Sequence, residues 1–287
     1  MNVPGPGPAA GSAVALPGWL DDGPLDGAGH VSALDAGLRS GWGVFETLRA
    51  HGTATLGLDR HLDRLVEGAG RLGITADPGR IRTALERTLA APRDVHEVAA
   101  RVTLTAGPVD PTAWPAVPAG APTLIVTLHP APPLPRPAAR AVTVAARRWP
   151  ADVKSISYVA SVLASQEAQA ADADTAVLCD GDELLETAEG NLLAVIDGTL
   201  VTPDADGRLL PGVTRGLALE QAERLGVPVR TGPLRHDGLI AAEVVVVSSA
   251  ISGLRTVGEL DGVGLRGADT PHPVVSALRD ALEALRH

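Results

Sequence analysis

The sequence predicts a two-domain α/β protein of the α+β kind, and three observations lead to this prediction. The chain has 287 residues, more than one small module needs. Apolar residues make up 45% of it and recur with helical spacing in some segments and strand-like spacing in others. A proline-rich stretch, HPAPPLPRPAAR, occupies residues 129–140. Because proline lacks a backbone donor and has a fixed φ, this stretch is expected to be an extended linker between the domains.

The N-terminal part divides into a lead and a smaller domain. Residues 1–28 are rich in proline and glycine and are predicted to form a flexible lead. An α+β domain is expected over residues 29–128. Its two helices are predicted from apolar side chains at helical spacing, and its two strands from β-prone residues. The helices carry Leu62, Leu65, Ala69 and Leu72, then Ile81, Leu85 and Leu89; the strands lie at 98–104 and 123–128.

The larger C-terminal domain is expected over residues 141–287 and combines buried strands with amphipathic helices. The strands are predicted at 141–146, 175–179, 192–196 and 243–248, and the helices at 158–171, at 214–225 and around Val274, Leu278, Leu282 and Leu285. Asp197 and Gly198 give a hairpin turn signal after one of these strands. Two domains arranged in this way commonly hold a ligand cavity between them.

Composition argues against several classes of protein. No apolar run approaches the roughly 18 residues that span a bilayer, and the N-terminus lacks the features of a secretory signal. The net charge of −10 is unfavourable for binding nucleic acid. The single cysteine, Cys179, can form neither an intramolecular disulfide nor a cysteine-based metal cluster. We therefore expect a cytoplasmic protein with no metal site and with no membrane or nucleic-acid partner.

One residue type is almost absent from the chain. Lysine and arginine together number 24, yet Lys154 is the only lysine. Arginine cannot replace lysine where an amine must lose its proton and attack a carbonyl, because the guanidinium stays protonated. Lys154 stands just before the helix predicted at 158–171, where its amine could form a Schiff base. The alternative is an exposed lysine without a catalytic role, the only one left in an arginine-rich composition.

Three other features could accompany such an amine. Glu186 and Glu189 fall between apolar strands, where a carboxylate needs a partner, although a solvated turn is the favoured interpretation for Glu189. The turn LLPGVTR opens a helix, so the amides of Val213 and Thr214 could bind an anion. Two cations stand upstream, in GWGVFETLRA and in HLDRL: Arg49 and Arg64. Together these groups match the needs of pyridoxal 5′-phosphate, which requires an amine, a partner for its ring nitrogen and phosphate ligands.

The motifs FETLR, HLDRL, RVTLTAG, KSISY, ETAEGN, LLPGVTR and SSA follow one another between Asp35 and Ser252. In this order they resemble the fold-type IV pyridoxal-phosphate enzymes, the class IV aminotransferase family. The resemblance implies a two-domain fold like that of D-amino-acid transaminases, with the active site between the domains. It also implies pyridoxal 5′-phosphate as cofactor, a small amino compound as substrate, and a homodimer with each site near the subunit interface.

The resemblance also assigns roles to individual residues. Lys154 would hold the cofactor as an aldimine and move the proton at the substrate Cα, and Glu186 would pair with the pyridine nitrogen. The other cofactor-binding residues that it implies are Arg64, Asn191, Val213, Thr214, Ser249 and Ala250. The substrate-binding residues that it implies are Ser40, Phe45, Arg49 and Arg101, the two arginines as ligands of a carboxylate.

Departures from the family pattern bear on the reaction. Ser40 stands where several transaminases carry a tyrosine, and Thr47 stands where branched-chain enzymes tend to have glycine. The sequence therefore predicts a 4-amino-4-deoxychorismate lyase, which eliminates pyruvate to give 4-aminobenzoate for folate biosynthesis. The alternatives are a branched-chain or D-amino-acid aminotransferase and, more remotely, a non-catalytic binding protein. In the dimer, the loop at residues 37–42 would approach the neighbouring site, with Trp42 at the interface or in the cavity.

Overall fold

The computed structural model describes residues 16–25, 29–268 and 270–286. The strands in these ranges are β1 (Gly18–Leu20), β2 (Gly23–Pro24), β3 (Gly43–His51), β4 (Ala54–Thr55), β5 (Glu97–Thr105), β6 (Leu124–Pro130), β7 (Ala139–Val144), β8 (Thr175–Asp180), β9 (Glu183–Thr187), β10 (Asn191–Ile196), β11 (Thr199–Thr202), β12 (Val229–Thr231), β13 (Leu234–Arg235), β14 (Val244–Ser249), β15 (Gly253–Leu260) and β16 (Val263–Gly264). The helices are α1 (Ala36–Ser40), α2 (Leu58–Arg71), α3 (Pro78–Ala90), α4 (Val159–Ala170), α5 (Val213–Arg224), α6 (His236–Ala241) and α7 (Pro273–Ala284).

The first six strands form an antiparallel sheet in the order β2-β1-β6-β5-β3-β4. β3 and β5 pair along their whole length, which places Thr47 opposite Arg101. The apolar stripes of α2 and α3 share a core with Leu48 of β3 and Val102 of β5. Because side chains alternate along a strand, Phe45, Thr47 and Arg101 lie on the other face of the sheet.

The prediction of a flexible lead over residues 1–28 is wrong for the strands β1 and β2. β1 pairs with β6, so that Trp19 lies opposite Val126, and β2 pairs with β1. Trp19 is buried, and its indole N–H donates to the carbonyl oxygen of Asp21 at 2.8 Å. The apolar area of this one aromatic ring holds a Pro/Gly-rich segment on the sheet. Residues 1–15 and 26–28 lie outside the described residues.

The remaining ten strands form a mixed sheet in the order β12-β11-β10-β14-β15-β7-β8-β9-β13, with β16 beside β15. The sheet curls back on itself, because β9 also pairs with β10 through Glu186 and Asn191. α5 and α7 share an apolar core with the central strands β10 and β14, and α4 packs against β7 and β8. The curl brings the ends of β9, β10 and β14 close to the first sheet.

The helices predicted from apolar spacing are all present, with ends within a few residues of those expected. β6 ends at Pro130 and β7 begins at Ala139, so both ends of the 129–140 stretch belong to strands rather than to a linker. The chain passes from the first sheet to the second between these residues, and its division into two domains there stays a prediction. In the part of the chain that the structure describes, every helix is too short or too polar to cross a membrane.

Candidate active site

A cavity of about 360 Å³ opens where the two sheets meet, and both contribute to its wall. Most of the residues that the sequence singled out line this cavity. They are Phe45, Arg64, Arg101, Lys154, Asn191, Val213, Thr214, Ser249 and Ala250. The structure therefore brings together side chains that lie more than 200 positions apart in the sequence.

Lys154 is held against the first sheet by backbone hydrogen bonds. The amide of Phe45 donates to the Lys154 carbonyl oxygen at 2.9 Å, and the amide of Ile156 donates to Gly43 at 3.0 Å. The neighbouring Val153 is buried in the core beneath the sheet. Anchored in this way, the Lys154 ammonium nitrogen lies 4.7 Å from the centre of the Phe45 ring.

The surroundings of Lys154 favour its neutral form. Burial lowers the pKa of this amine from its ordinary 10.5 to about 8, and the positive charges of Arg64 and Arg148 contribute in the same direction. Glu46 and Glu186 oppose the shift without reversing it. Only the neutral amine is a nucleophile, so the lowered pKa gives Lys154 a larger reactive fraction near neutral pH than an ordinary lysine has.

A buried ionic cluster supports this wall of the cavity. Glu46 on β3 is fully buried, and its carboxylate accepts hydrogen bonds from Arg64 Nε and Nη2 at 2.7 and 2.8 Å. The same carboxylate lies 2.7 Å from Nδ1 of His61. His61 and Arg64 are three residues apart on α2 and so share one face of the helix. Although burial raises the pKa of Glu46, these partners outweigh it and bring the pKa to about 2.

The part of the cavity next to the start of α5 is suited to an anion. α5 begins at Val213 after the N-cap Gly212, which offers no side chain to the free amides of the first turn. A Cβ atom on Gly212 would lie 1.9 Å from Asn191 Oδ1, so only glycine allows this close approach. Arg64 also donates to the Pro211 carbonyl oxygen at 2.8 Å, which leaves two of its five N–H groups for a ligand.

Glu186 lies directly behind the cavity wall and does not itself line the cavity. Its Oε2 accepts from the Leu210 amide at 3.2 Å and from Asn191 Nδ2 at 3.5 Å, and both of these residues line the cavity. Its Oε1 accepts from Arg148. Burial raises the pKa of Glu186, and Arg148 counteracts that shift.

Arg101 is a cation without a counter-ion. Its guanidinium carbon lies 3.7 Å from the centre of the Phe45 ring, and Tyr158 meets the same ring edge-on at 5.4 Å. Among the described residues, none forms a hydrogen bond or ion pair with the Arg101 side chain. Because burial lowers its pKa, this guanidinium would gain from an anionic partner. Arg101 is thus placed to take a carboxylate near Lys154.

Two of the predicted substrate-binding residues are not in this cavity. Arg49 donates to Glu97 and to the carbonyl oxygens of Pro132 and Ile251, and it lines a neighbouring cavity. Its position two residues beyond Thr47 carries it past the site along β3. Ser40 is exposed at the end of α1, where its hydroxyl donates to the Ala36 carbonyl oxygen at 2.9 Å.

Trp42 does not line the cavity of its own chain, and its place at a dimer interface or in the neighbouring subunit's cavity stays a prediction. Its indole N–H donates to the Leu72 carbonyl oxygen at 2.8 Å, and its ring packs on the core of the first sheet. Sequence reasoning also missed residues that the site uses: Glu46, His61, Tyr158 and Arg148. A signal existed for the first two, since a glutamate in the strand pattern of FETLR faces the helix that presents His61 and Arg64. No comparable pattern marks Arg148.

The residues present fit pyridoxal 5′-phosphate. The cavity offers an amine of lowered pKa, a helix start with a glycine cradle for the phosphate, and a carboxylate one layer behind its wall. Fold and site together define a pyridoxal-phosphate enzyme of fold type IV.

Comparisons with known proteins support this class. Residues 43–260 match the family model described as amino-transferase class IV. A candidate branched-chain-amino-acid aminotransferase of Methanocaldococcus jannaschii is 33% identical over 241 residues, which cover 81% of this chain and 83% of that protein. A D-alanine aminotransferase of Listeria monocytogenes is 27% identical over 253 residues, 84% and 87% of the two chains.

Solved structures share the fold. A hypothetical aminotransferase from Mycobacterium tuberculosis, solved in a PLP-bound form, superposes with a TM-score of 0.82 at 24% identity over 94% of this chain and 98% of that one. The chain belongs to the class IV aminotransferase family. Its fold is the fold-type IV fold predicted from the motifs, and pyridoxal 5′-phosphate is the cofactor of this family, as predicted.

Proposed function

We propose that this protein is an aminotransferase that moves the amino group of a branched-chain or D-amino acid to a 2-oxo acid. The observation that carries the proposal is the pairing of Lys154 with Arg101 around the Phe45 ring. A nucleophilic amine and an unpaired guanidinium in one small cavity suit a substrate that has both an amino group and a carboxylate. The names of the relatives from Methanocaldococcus and Listeria point to the same substrates.

Each residue then has a task that its environment supports. When bound, pyridoxal 5′-phosphate supplies an electron sink for the removal of the substrate Cα proton. Lys154 holds the cofactor and carries that proton, since its lowered pKa lets it exchange a proton near neutrality. Arg64 and the amides of Val213 and Thr214 hold the phosphate. Arg101 orients the substrate by its carboxylate.

The predicted 4-amino-4-deoxychorismate lyase becomes the second candidate, because the relatives are named as aminotransferases. One of its arguments now depends on the dimer, since Ser40 lies outside the cavity of its own chain and a tyrosine at this position could reach only the cavity of a second copy. The other argument keeps its place, because Thr47 does line the cavity. The presence of Lys154 in the cavity disfavours the third alternative, a non-catalytic binding protein.

The test offers the purified protein two sets of reactants. Branched-chain amino acids and D-amino acids are each supplied with 2-oxoglutarate, and glutamate is measured; aminodeoxychorismate is supplied alone, and pyruvate is measured. We expect glutamate in the first set and no pyruvate in the second. The reverse result would establish the lyase, and no product in either set would contradict both.

A variant pair checks the role of Lys154. Lys154→Ala should lose all turnover and all borohydride-stable attachment of the cofactor, because the chain has no second lysine. Arg147→Ala is the control, since this side chain is exposed and pairs with Asp180 away from the cavity. Cofactor that remains attached in the lysine variant would show that another group holds it.

We also propose a homodimer, supported by large apolar side chains left exposed near the site. Trp149 is 89% exposed, and Leu38, Val159 and Leu163 also face outward. A second copy that covers them would remove this apolar surface from water. Sedimentation of the active protein should show a dimer, and an active monomer would contradict the proposal.

We also propose a cytoplasmic location. The support is Cys179, a free cysteine of the kind that stays reduced in the cytosol.

A further inference from the structure

Two adjacent arginines just before Lys154 point in different directions. Arg147 has a side chain that is 59% exposed and forms an ion pair with Asp180. Arg148 is only 9% exposed and turns inward to Glu186. Its Nε donates to Glu186 Oε1 at 3.1 Å, and its Nη2 donates to the same oxygen. One of the two neighbours is thus built into the interior beside the proposed active site.

Every hydrogen bond of the Glu186 carboxylate is accepted from a donor. Besides Arg148, these are the Leu210 amide and Asn191 Nδ2, both of which reach Oε2. A protonated carboxyl group would need an acceptor, and none of the described residues supplies one. The geometry therefore requires the ionised carboxylate. Arg148 is the only one of these three donors that carries charge.

The charged and titratable groups that face Glu186 are few. Arg148 approaches from the loop after β7, Lys154 lies across the cavity wall, and the Tyr158 hydroxyl donates to the nearby Ala188 carbonyl oxygen at 2.6 Å. Lys154 favours the ionised carboxylate less strongly than Arg148, and its own pKa near 8 makes its charge variable. Burial acts against the Glu186 charge, so the charge depends mainly on Arg148.

We propose that Arg148 is a positioning residue that keeps Glu186 ionised and fixed behind the wall formed by Asn191 and Leu210. The proposal rests on the proposed function and on the role that the family resemblance implies for Glu186, which is to partner the ring nitrogen of the cofactor. A neutral Glu186 could not stabilise a proton on that nitrogen, whereas an ionised one held by Arg148 can. Arg148 therefore acts through Glu186 and has no contact with a substrate of its own.

The first measurement uses cofactor-free protein, so that it does not depend on activity. Infrared difference spectra at a series of pH values follow the carbonyl stretch of a protonated carboxyl group in Arg148→Met. We expect a band that is absent from the wild type at neutral pH, with the Glu186 midpoint raised by roughly 1–3 pH units. Arg147→Met is the matched control and should leave the wild-type spectrum unchanged. Absence of the new band in Arg148→Met would overturn the proposal.

Arg148→Met leaves a buried carboxylate without its partner, which costs stability, so a second variant is needed. The double variant Arg148→Met/Glu186→Gln removes both charges and leaves neither one unpaired. Its spectrum should lack the new band, which assigns that band to Glu186. If Arg148→Met is unfolded, Arg148→Gln replaces it in the same series.

The second measurement is the dissociation constant of pyridoxal 5′-phosphate, taken from its absorption on binding. If Arg148 acts through Glu186, adding Arg148→Met to Glu186→Gln should change this constant no further, and Arg148→Lys should restore part of the loss of Arg148→Met. If the double variant instead weakens binding by the product of the two single effects, the proposal is overturned. Failure of the wild type to bind the cofactor would instead contradict the proposed function, while the infrared result on cofactor-free protein would still stand.

Discussion

Two buried glutamates approach Lys154 from the two halves of the molecule, and their pKa values move in opposite directions. Glu46 belongs to the first sheet and Glu186 to the second, and they are 0% and 3% exposed. Burial raises the pKa of both carboxyl groups. The pKa of Glu46 nevertheless falls to about 2, whereas that of Glu186 stays above its ordinary value.

Each carboxylate receives two N–H groups of one arginine, and the difference lies in how these are distributed and in the histidine that only Glu46 contacts. The fork of Arg64 binds both oxygens of Glu46, and His61 adds a third contact. Arg148 binds one oxygen of Glu186, and the other oxygen has only neutral donors. The first wall of the cavity is therefore a fixed ionic support, and the second is a wall whose charge depends on one arginine.

The largest expected effect comes from the first wall. Glu46→Gln should lower the free energy of unfolding by about 3–5 kcal/mol at pH 7, because it leaves Arg64 without its buried counter-ion. Urea titration of the cofactor-free protein measures this loss. The control is Glu220→Gln, which breaks an exposed pair with Arg60 and should cost less than about 1 kcal/mol. Equal losses in the two variants would show that the Glu46 cluster is not structural.

Lys154 lies between the two glutamates, and its own charge should destabilise the cofactor-free protein. The lowered pKa means that the unfolded chain binds more protons between pH 8 and 10.5. Stability should therefore rise with pH across this window and carry the full penalty below it. Lys154→Met should add up to about 3 kcal/mol of stability at pH 7 and almost nothing above pH 10.5. If the urea midpoints of the wild type and Lys154→Met differ by the same amount at every pH, the lowered pKa of Lys154 is contradicted.

Arg64 should link the first wall to the cofactor. Arg64→Ala should weaken pyridoxal 5′-phosphate binding by about 1.5–3 kcal/mol, since a charge-assisted contact to the phosphate is lost. Arg60→Ala, one turn earlier on α2, removes an exposed arginine that pairs with Glu220 and serves as the control. Equilibrium binding measures both. An unchanged affinity in Arg64→Ala would confine this residue to the support of Glu46.

Sequence alone could identify the chemistry but only part of its geometry. Lys154 was recognisable because it is unique, and Thr214 because a Pro-Gly turn opens its helix. The two arginines on the strands were not distinguishable. Arg49 and Arg101 face the same side of the first sheet, and only the register of β3 with β5 shows that Arg101 reaches the Phe45 ring while Glu97 neutralises Arg49.

Other parts of the site depend on loop conformation, which local patterns do not encode. Arg147 and Arg148 have the same neighbours in sequence, yet one pairs with Asp180 at the surface and the other with Glu186 in the interior. The strand at Trp19 likewise overrides a composition typical of a flexible lead. In each case a tertiary partner, rather than a propensity, decides the position of the side chain.

The smallest expected effect belongs to the second wall and gives the sharpest test of the comparison. Glu186→Gln should lower the free energy of unfolding by about 1–2 kcal/mol at pH 7, less than half the loss in Glu46→Gln, because burial already offsets much of the attraction to Arg148.

The pH dependence of stability should also differ in sign between the two variants. A raised pKa means that the native state binds the proton more tightly, so the contribution of Glu186 to stability falls as pH rises above 4.5, whereas that of Glu46 is lost as pH falls from 4.5 toward 2. Urea titrations of both variants across this range measure the two slopes. The control is Glu183→Gln on the same strand, a half-buried glutamate that pairs with Arg208. If Glu186→Gln costs as much as Glu46→Gln and shows the same slope, the two walls are equivalent and a single charged partner is enough to fix a buried carboxylate.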